Sequence, residues 1–169
     1  GTRSLYFNTN RSNLVAIGDS ALYNNGVGAT ASYHATENTA VGSKALFANT
    51  IGYYNTAMGY NSLKNNTSGI GNTAIGPHAL FSNETGIGNT AIGVSSLKEN
   101  TTGDDNVAVG VDALRNNTIG IKNVSFGSLS SFSNNEGSSN VSIGNEALRL
   151  NLTGNNNTAI GTEALYNNN

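Results

Sequence analysis

The sequence predicts an all-β parallel solenoid, a β-roll in which each repeat forms one coil stacked on the next. Three observations predict it. A glycine recurs every 17 residues, at Gly42, Gly59, Gly76, Gly93, Gly110, Gly127, Gly144 and Gly161, and Gly18 belongs to the same column after a seven-residue insertion. Around it the text repeats as Asn-Thr-Ala-Ile-Gly, two variable residues, Ala-Leu, an Asn three residues later and a Gly three after that. A fixed short period of this kind is the signature of a solenoid. Only four or five residues separate the turn-forming positions, too few for a helix, which usually needs about 10–12.

The elements follow from the register, with the column glycine as position 0. Position −4 is Asn from Asn38 to Asn157, −3 is Thr or Val, −2 is Ala or Ser, and −1 is apolar, from Ile17 to Ile160. This short stretch, partly β-branched, predicts a strand of about four residues. The glycine ends it, because the corner needs a positive φ or has no room for a Cβ. Positions +3 to +6, with Ala or Ser at +3 and Leu at +4, predict a second short strand. Asn at +7 and Gly at +10 then bracket a wider turn, since both residue types tolerate left-handed conformations. One large residue at −1 and the Leu at +4 are expected to fill a thin interior. The small residues at −2 and +3 would leave a smooth second face for another chain. About nine coils spaced as neighbouring strands are would make a rod about 43 Å long. A lone rod with so thin a core would be marginal, so oligomerisation is expected.

The period also locates its own interruptions. The whole chain, residues 1–169, reads as one repeat array with an inserted loop at 29–37, which holds Tyr33, His34 and Glu37. Counting back from Gly18 reaches Gly1, and the text stops eight residues after Gly161, at Asn169. Both ends thus fall within a repeat, and a segment of a longer array is expected. Residues 123–137 are the weakest copy, with Ser131 in place of the Leu.

Composition narrows the function classes. Charged residues make up 11% of the chain, against roughly 25% in ordinary soluble domains. The net charge is −2 and the Lys and Arg residues do not cluster, so the electrostatic footprint of a nucleic-acid-binding surface is missing. No apolar run reaches the length of a membrane span, and no signal-peptide pattern opens the text. Cysteine is absent, which excludes disulfides and thiolate metal sites and suits an exported fibre.

The segments Asn-Thr-Ala-Ile-Gly at 72–76, 89–93 and 157–161 and Asn-Val-Ala-Val-Gly at 106–110 resemble the head repeats of trimeric autotransporter adhesins, the YadA-like heads. The resemblance runs from Asn13 to Asn169. It implies a left-handed parallel β-roll in which three chains intertwine as a homotrimer, and attachment to a host-cell surface or matrix. The period of 17 departs from the family's typical period of about 14, and longer repeats of this kind are also similar to those of phage or virus tail fibres and other bacterial attachment fibres. The expected location is therefore extracellular, on an outer-membrane-anchored fibre or a virion tail fibre.

Candidate chemistry is sparse. Position +5 alternates aromatic and basic residues, among them Tyr23, Phe47 and Phe81, a stripe able to contact a receptor or stack on sugars but more often one that covers apolar surface. With Tyr33, His34 and Glu37 these form the candidate receptor or glycan contacts, and the repeat glycines form the structural set. The sequons at Asn83, Asn100, Asn140 and Asn151 follow from the repeat itself. His34 and His78 have no second ligand column beside them, and the Asp104–Asp105 pair reads as a solvated turn. Interrupted Thr ladders at −3 and +8 do not make a regular ice-binding face. No nucleophile, base and orienting group come together in the pattern, and no carboxylate pair of a carbohydrate-degrading solenoid is present. The expectation is a non-catalytic fibre segment without cofactors that attaches to host or prey cell surfaces; a purely structural shaft is the alternative.

Overall fold

The computed structural model describes residues 1–168; Asn169, where the repeat is expected to break off, lies outside the described residues. Among the described residues nine three-residue strands follow one another: β1 (Val15–Ile17), β2 (Thr39–Val41), β3 (Thr56–Met58), β4 (Thr73–Ile75), β5 (Thr90–Ile92), β6 (Val107–Val109), β7 (Val124–Phe126), β8 (Val141–Ile143) and β9 (Thr158–Ile160). They form one parallel sheet in sequence order. Register is strict: Ala57 lies opposite Ala74, and Ala74 opposite Ala91. Each strand is thus the same part of its coil, and seven uninterrupted 17-residue coils run from Gly42 to Gly161. The register extends back to the first residues, where Leu5 N–H donates to Ala21 O (3.0 Å) and Phe7 N–H to Tyr23 O (3.1 Å).

The column glycines do what the period predicts, and for both reasons at once. Their φ values lie between 124° and 145°, a region closed to ordinary L side chains. A Cβ on Gly59 would also come within 2.6 Å of the Gly76 carbonyl carbon. Every coil turns its corner so close to the next that a side chain has no place there.

The second predicted strand does not form. Positions +3 to +6 are turn-like, although they hydrogen-bond from coil to coil: Leu63 N–H donates to Ala79 O (3.0 Å) and Asn65 N–H to Phe81 O (3.2 Å). The cause lies in the pair at +3 and +4. Ala79 and Leu80 are adjacent in sequence and both fully buried, whereas successive side chains of a strand point to opposite faces. The chain turns both inward by adopting left-handed φ on either side of +3, 59° at His78 and 50° at Leu80. A leucine in that conformation costs roughly 1–2 kcal/mol, and the pattern recurs at Leu22, Leu46, Leu63, Leu97, Leu114, Leu148 and Leu165. Such strain persists only where the surroundings over-determine it; here stacked copies above and below do so.

The interior is also arranged differently from the expectation. Because −3 and −1 share one face of the strand, only −2 points inward. Ala40, Ala57, Ala74 and Ala91 are completely buried, while Ile75 and Ile92 are each 38% exposed and Ile160 is 68% exposed. The −1 column lies on the outside, and the −2 and +3 small residues are the interior rather than a face for a second chain. The two sides of the coil approach too closely for anything larger than Ala opposite the Leu. No opening remains between them, and no enclosed pocket indents the described surface.

Two asparagine ladders fill the rest of the interior. At −4, Asn72 Nδ2 donates to Asn55 Oδ1 (3.2 Å) and to Gly86 O (2.8 Å), while its Oδ1 accepts from the backbone N–H of Asn89 (3.0 Å). At +7, Asn83 Nδ2 donates to Asn66 Oδ1 (2.9 Å) and to the same Gly86 O (3.1 Å). The +10 carbonyl is therefore the junction of the two ladders, and from Asn38 to Asn151 the ladder amides are hydrogen-bonded although buried, as burial requires. This arrangement also revises the role of the +7 and +10 residues. Neither is left-handed in the seven regular coils; that conformation sits instead at −5, +2 and +4. Position +10 is Gly because space is missing: a Cβ on Gly86 would lie against Asn83 Oδ1 and 2.6 Å from Gly103 O.

Candidate functional site

Three surface features remain once the interior is accounted for. The first is the −1 column itself, an outward row of Ile17, Val41, Met58, Ile75, Ile92, Val109, Phe126, Ile143 and Ile160, one per strand. All nine are half-buried or exposed; the seven inner ones lie between copies above and below, and Ile17 and Ile160 have a copy on one side only. Val94 and Val111, two residues further along the chain at +1, are nearly half exposed as well.

The second is the +5 column, which holds the candidates Tyr23, Phe47 and Phe81. All three are half-buried. Tyr23 stacks between Tyr6 and Phe47, at centroid distances of 5.1 and 5.0 Å. Lower in the column the rings alternate with cations: the Lys64 ammonium stands 5.2 Å from the Phe81 ring, and the guanidiniums of Arg115 and Arg149 each stand 5.8 Å from the Phe132 ring. Stacking at the coil spacing explains the aromatic and basic alternation, since a cation over a ring is attracted by its π face. Glu99, on the neighbouring +6 column, is held below the usual glutamate range, first by the hydrogen bond from Lys98 at 2.7 Å and also by the one from Ser82.

The third feature is the inserted loop. Regular pairing holds through Gly26, whose N–H donates to Thr50 O (2.9 Å), and resumes at Ala35, whose carbonyl accepts from Asn25 Nδ2 (2.9 Å) as the +10 carbonyl does elsewhere. The seven extra residues therefore fall within 27–34, together with one regular residue of the turn, and Thr36 and Glu37 belong to the next coil. The loop is tied down. The Arg11 guanidinium donates to Ala29 O and Ala31 O, both at 2.9 Å, and His34 Nδ1 accepts from Ala31 N–H at 3.3 Å. Thr36 Oγ1 donates to Tyr33 O at 2.8 Å.

The structure brings Tyr33 and His34 together, with ring centroids 4.8 Å apart, and adds two residues that the pattern did not single out. Tyr53 lies 5.5 Å from Tyr33, and Tyr54 lies 5.1 Å from Tyr53. Glu37 is exposed and stands one coil from Tyr54 in the same −5 column. The signal that could have found Tyr53 and Tyr54 is their uniqueness, for no other repeat has an aromatic residue at −6 or −5. Tyr23, Phe47 and Phe81 form a separate ladder. Among the described residues no three His, Asp or Glu side chains gather as a metal-binding group.

These features define a parallel β-solenoid repeat protein. Comparison with protein families, curated proteins and solved structures finds no match.

Proposed function

We propose that this chain is a segment of a trimeric surface fibre, a non-catalytic module that attaches to host or prey cell surfaces. The observation that carries the reading is the outward −1 column. A contiguous exposed apolar row marks an interaction surface, and one that repeats with every coil fits a partner of the same length and pitch, which is another copy of this chain. Symmetric closed assemblies are the rule for such self-association. The number three, the left-handed wrap and the extracellular placement, on a bacterial surface or a virion, come from the resemblance to YadA-like heads. Sedimentation equilibrium tests the assembly: the expected mass is three times 17.4 kDa, and a folded, monodisperse monomer overturns it. Attachment is tested by binding of the fluorescently labelled assembly to intact bacterial and animal cells, where absence of binding to all of them rejects the adhesive role.

A second reading, a structural shaft whose receptor-binding tip lies elsewhere, is favoured by one observation. The +5 aromatics are engaged with one another along the rod, so that stripe already has a use in stiffening it.

A further inference from the structure

We infer that the corner formed by Tyr33, Tyr53 and Tyr54, flanked by His34 and Glu37, is a binding platform for a neutral oligosaccharide. The inference rests on the attachment reading and names the chemistry of what is bound. Four rings run in an unbroken edge-to-face series from His34 through Tyr33 and Tyr53 to Tyr54. Tyr33 and Tyr54 are each 57% exposed. Side-chain hydrogen bonds within the described chain leave the hydroxyls of all three tyrosines unengaged; those of the loop run through His34 Nδ1 and the Tyr33 carbonyl instead. Because successive rings stand at 70–80° to one another, the corner offers ring faces and edges in turn with polar tips, which suits sugar rings that present C–H groups on one side and hydroxyls at the rim.

The fold does not ask for these aromatics. Tyr54 occupies a left-handed position, φ 60°, where the next two coils have Gly71 and Gly88 at φ 67° and 70°. Every coil is left-handed at this position, and Asn13, Glu37, Asp105, Lys122, Ser139 and Asn156 fill it elsewhere, so small, polar or charged residues serve the backbone there and an aromatic is not required. The only aromatic pair in these two columns sits on the coil that follows the only inserted loop, and that loop is fixed by Arg11 rather than left free. Such fixing lowers the ordering cost of binding. Charge selects the sugar. The Arg11 guanidinium spends two donors on neutral carbonyls of the loop and keeps its positive charge, and the Glu37 carboxylate supplies one of opposite sign, so the two balance and the corner suits an uncharged sugar, with Glu37 an acceptor for its hydroxyls. With no enclosed pocket, the corner fits an extended chain bound along an open surface.

Saturation-transfer NMR on the full 169-residue chain, with neutral hexasaccharides of glucose, galactose, mannose and N-acetylglucosamine as probes, tests this. At least one probe is expected to receive saturation, and Tyr33→Ala and Tyr54→Gly are each expected to weaken its Kd at least tenfold while the melting transition stays in place. Tyr60→Ala, at an exposed tyrosine outside the corner, is expected to leave Kd unchanged. Glycine is already used at the Tyr54 column, so the second variant folds if the first does not. Binding of none of the probes, or equal binding by both variants, overturns the platform. Cell binding separates this inference from the reading beneath it. Attachment that persists in the Tyr33→Ala/Tyr54→Gly double variant overturns the platform but keeps the adhesin. A wild-type chain that binds hexasaccharide but no cell does the reverse. Attachment lost in the double variant yet insensitive to periodate oxidation of cell-surface sugars identifies a protein partner and overturns the sugar assignment.

Discussion

At the scale of single residues, the fold is set by positions that leave no freedom of choice. Gly86 carries the carbonyl on which both asparagine ladders converge, and its α-carbon faces Asn83 and the next coil with no space for a methyl group. Gly86→Ala is expected to destabilise the chain by about 1–3 kcal/mol, the usual range for overpacking a filled interior. Guanidinium unfolding followed by circular dichroism measures it, and an unchanged midpoint would show that the coils separate easily. The inward leucines present the opposite case. They keep an unfavourable φ because the coil needs two consecutive side chains inside, and no strand provides that.

At the scale of one element, the asparagine ladders and the apolar column depend on unbroken repetition. The weakest copy interrupts the apolar column. Ser125, Ser130, Ser131 and Ser142 are all buried and bond to one another, with Ser131 Oγ donating to Ser142 Oγ at 2.8 Å and Ser142 Oγ to Ser125 Oγ at 3.1 Å. The continuous apolar core accordingly stops at Leu114 and restarts at Ala147. Replacing matched polar partners together by apolar groups avoids leaving any of them unsatisfied. The triple variant Ser125→Ala/Ser131→Leu/Ser142→Ala is expected to gain on the order of 1.5–3 kcal/mol, the value of one buried leucine, read as a higher melting temperature. A lower one would mean that the serine cluster is the better packing for this coil. Acid acts at a different element. Glu99 has a folded-state pKa below its unfolded value, so its contribution is present above the ordinary glutamate pKa of about 4.3 and lost as pH falls through the lowered value. Glu99→Gln should reduce the loss of stability below about pH 4.3 and change stability near neutrality only slightly, because solvent screens an ion pair whose side chains are 26% and 40% exposed. Melting curves across that acid range decide it.

For the whole molecule, the question is which face meets a partner. Ala74→Leu and Ala91→Leu overfill the coil interior, so they are expected to lower the stability of the chain itself, by about 1–3 kcal/mol each. Ile75→Glu with Ile92→Glu changes only the outward column. It is expected to leave the circular dichroism spectrum intact while converting the assembly to monomers in sedimentation. If the glutamate variant still assembles, the interface lies on another face; if the alanine variants alter assembly without altering stability, the small residues face outward after all.

Much of this was legible in the sequence, because a repeat fixes geometry by its period alone. Seventeen residues between glycines impose one coil per repeat, parallel strands and in-register stacking, and any other arrangement would destroy the identity of Gly59 with Gly76. What the period leaves open is which way each side chain points. Strand alternation allows either −1 or −2 to face inward; the narrow gap between the two sides of the coil chooses alanine, and the isoleucines are turned out. The consecutive Ala-Leu pair already violated a strand's two-residue alternation, and only the left-handed backbone at +2 and +4 resolves it. Likewise, the sequence by itself showed that residues had been inserted before Asn38, but tertiary hydrogen bonds decided where. The Asn25 amide finds Ala35, Arg11 finds Ala29 and Ala31, and Tyr33 is carried to the tyrosines of the following coil. Periodicity determines the scaffold because identical neighbours must stack; the site departs from the period, and contacts between unlike residues are set by packing in three dimensions.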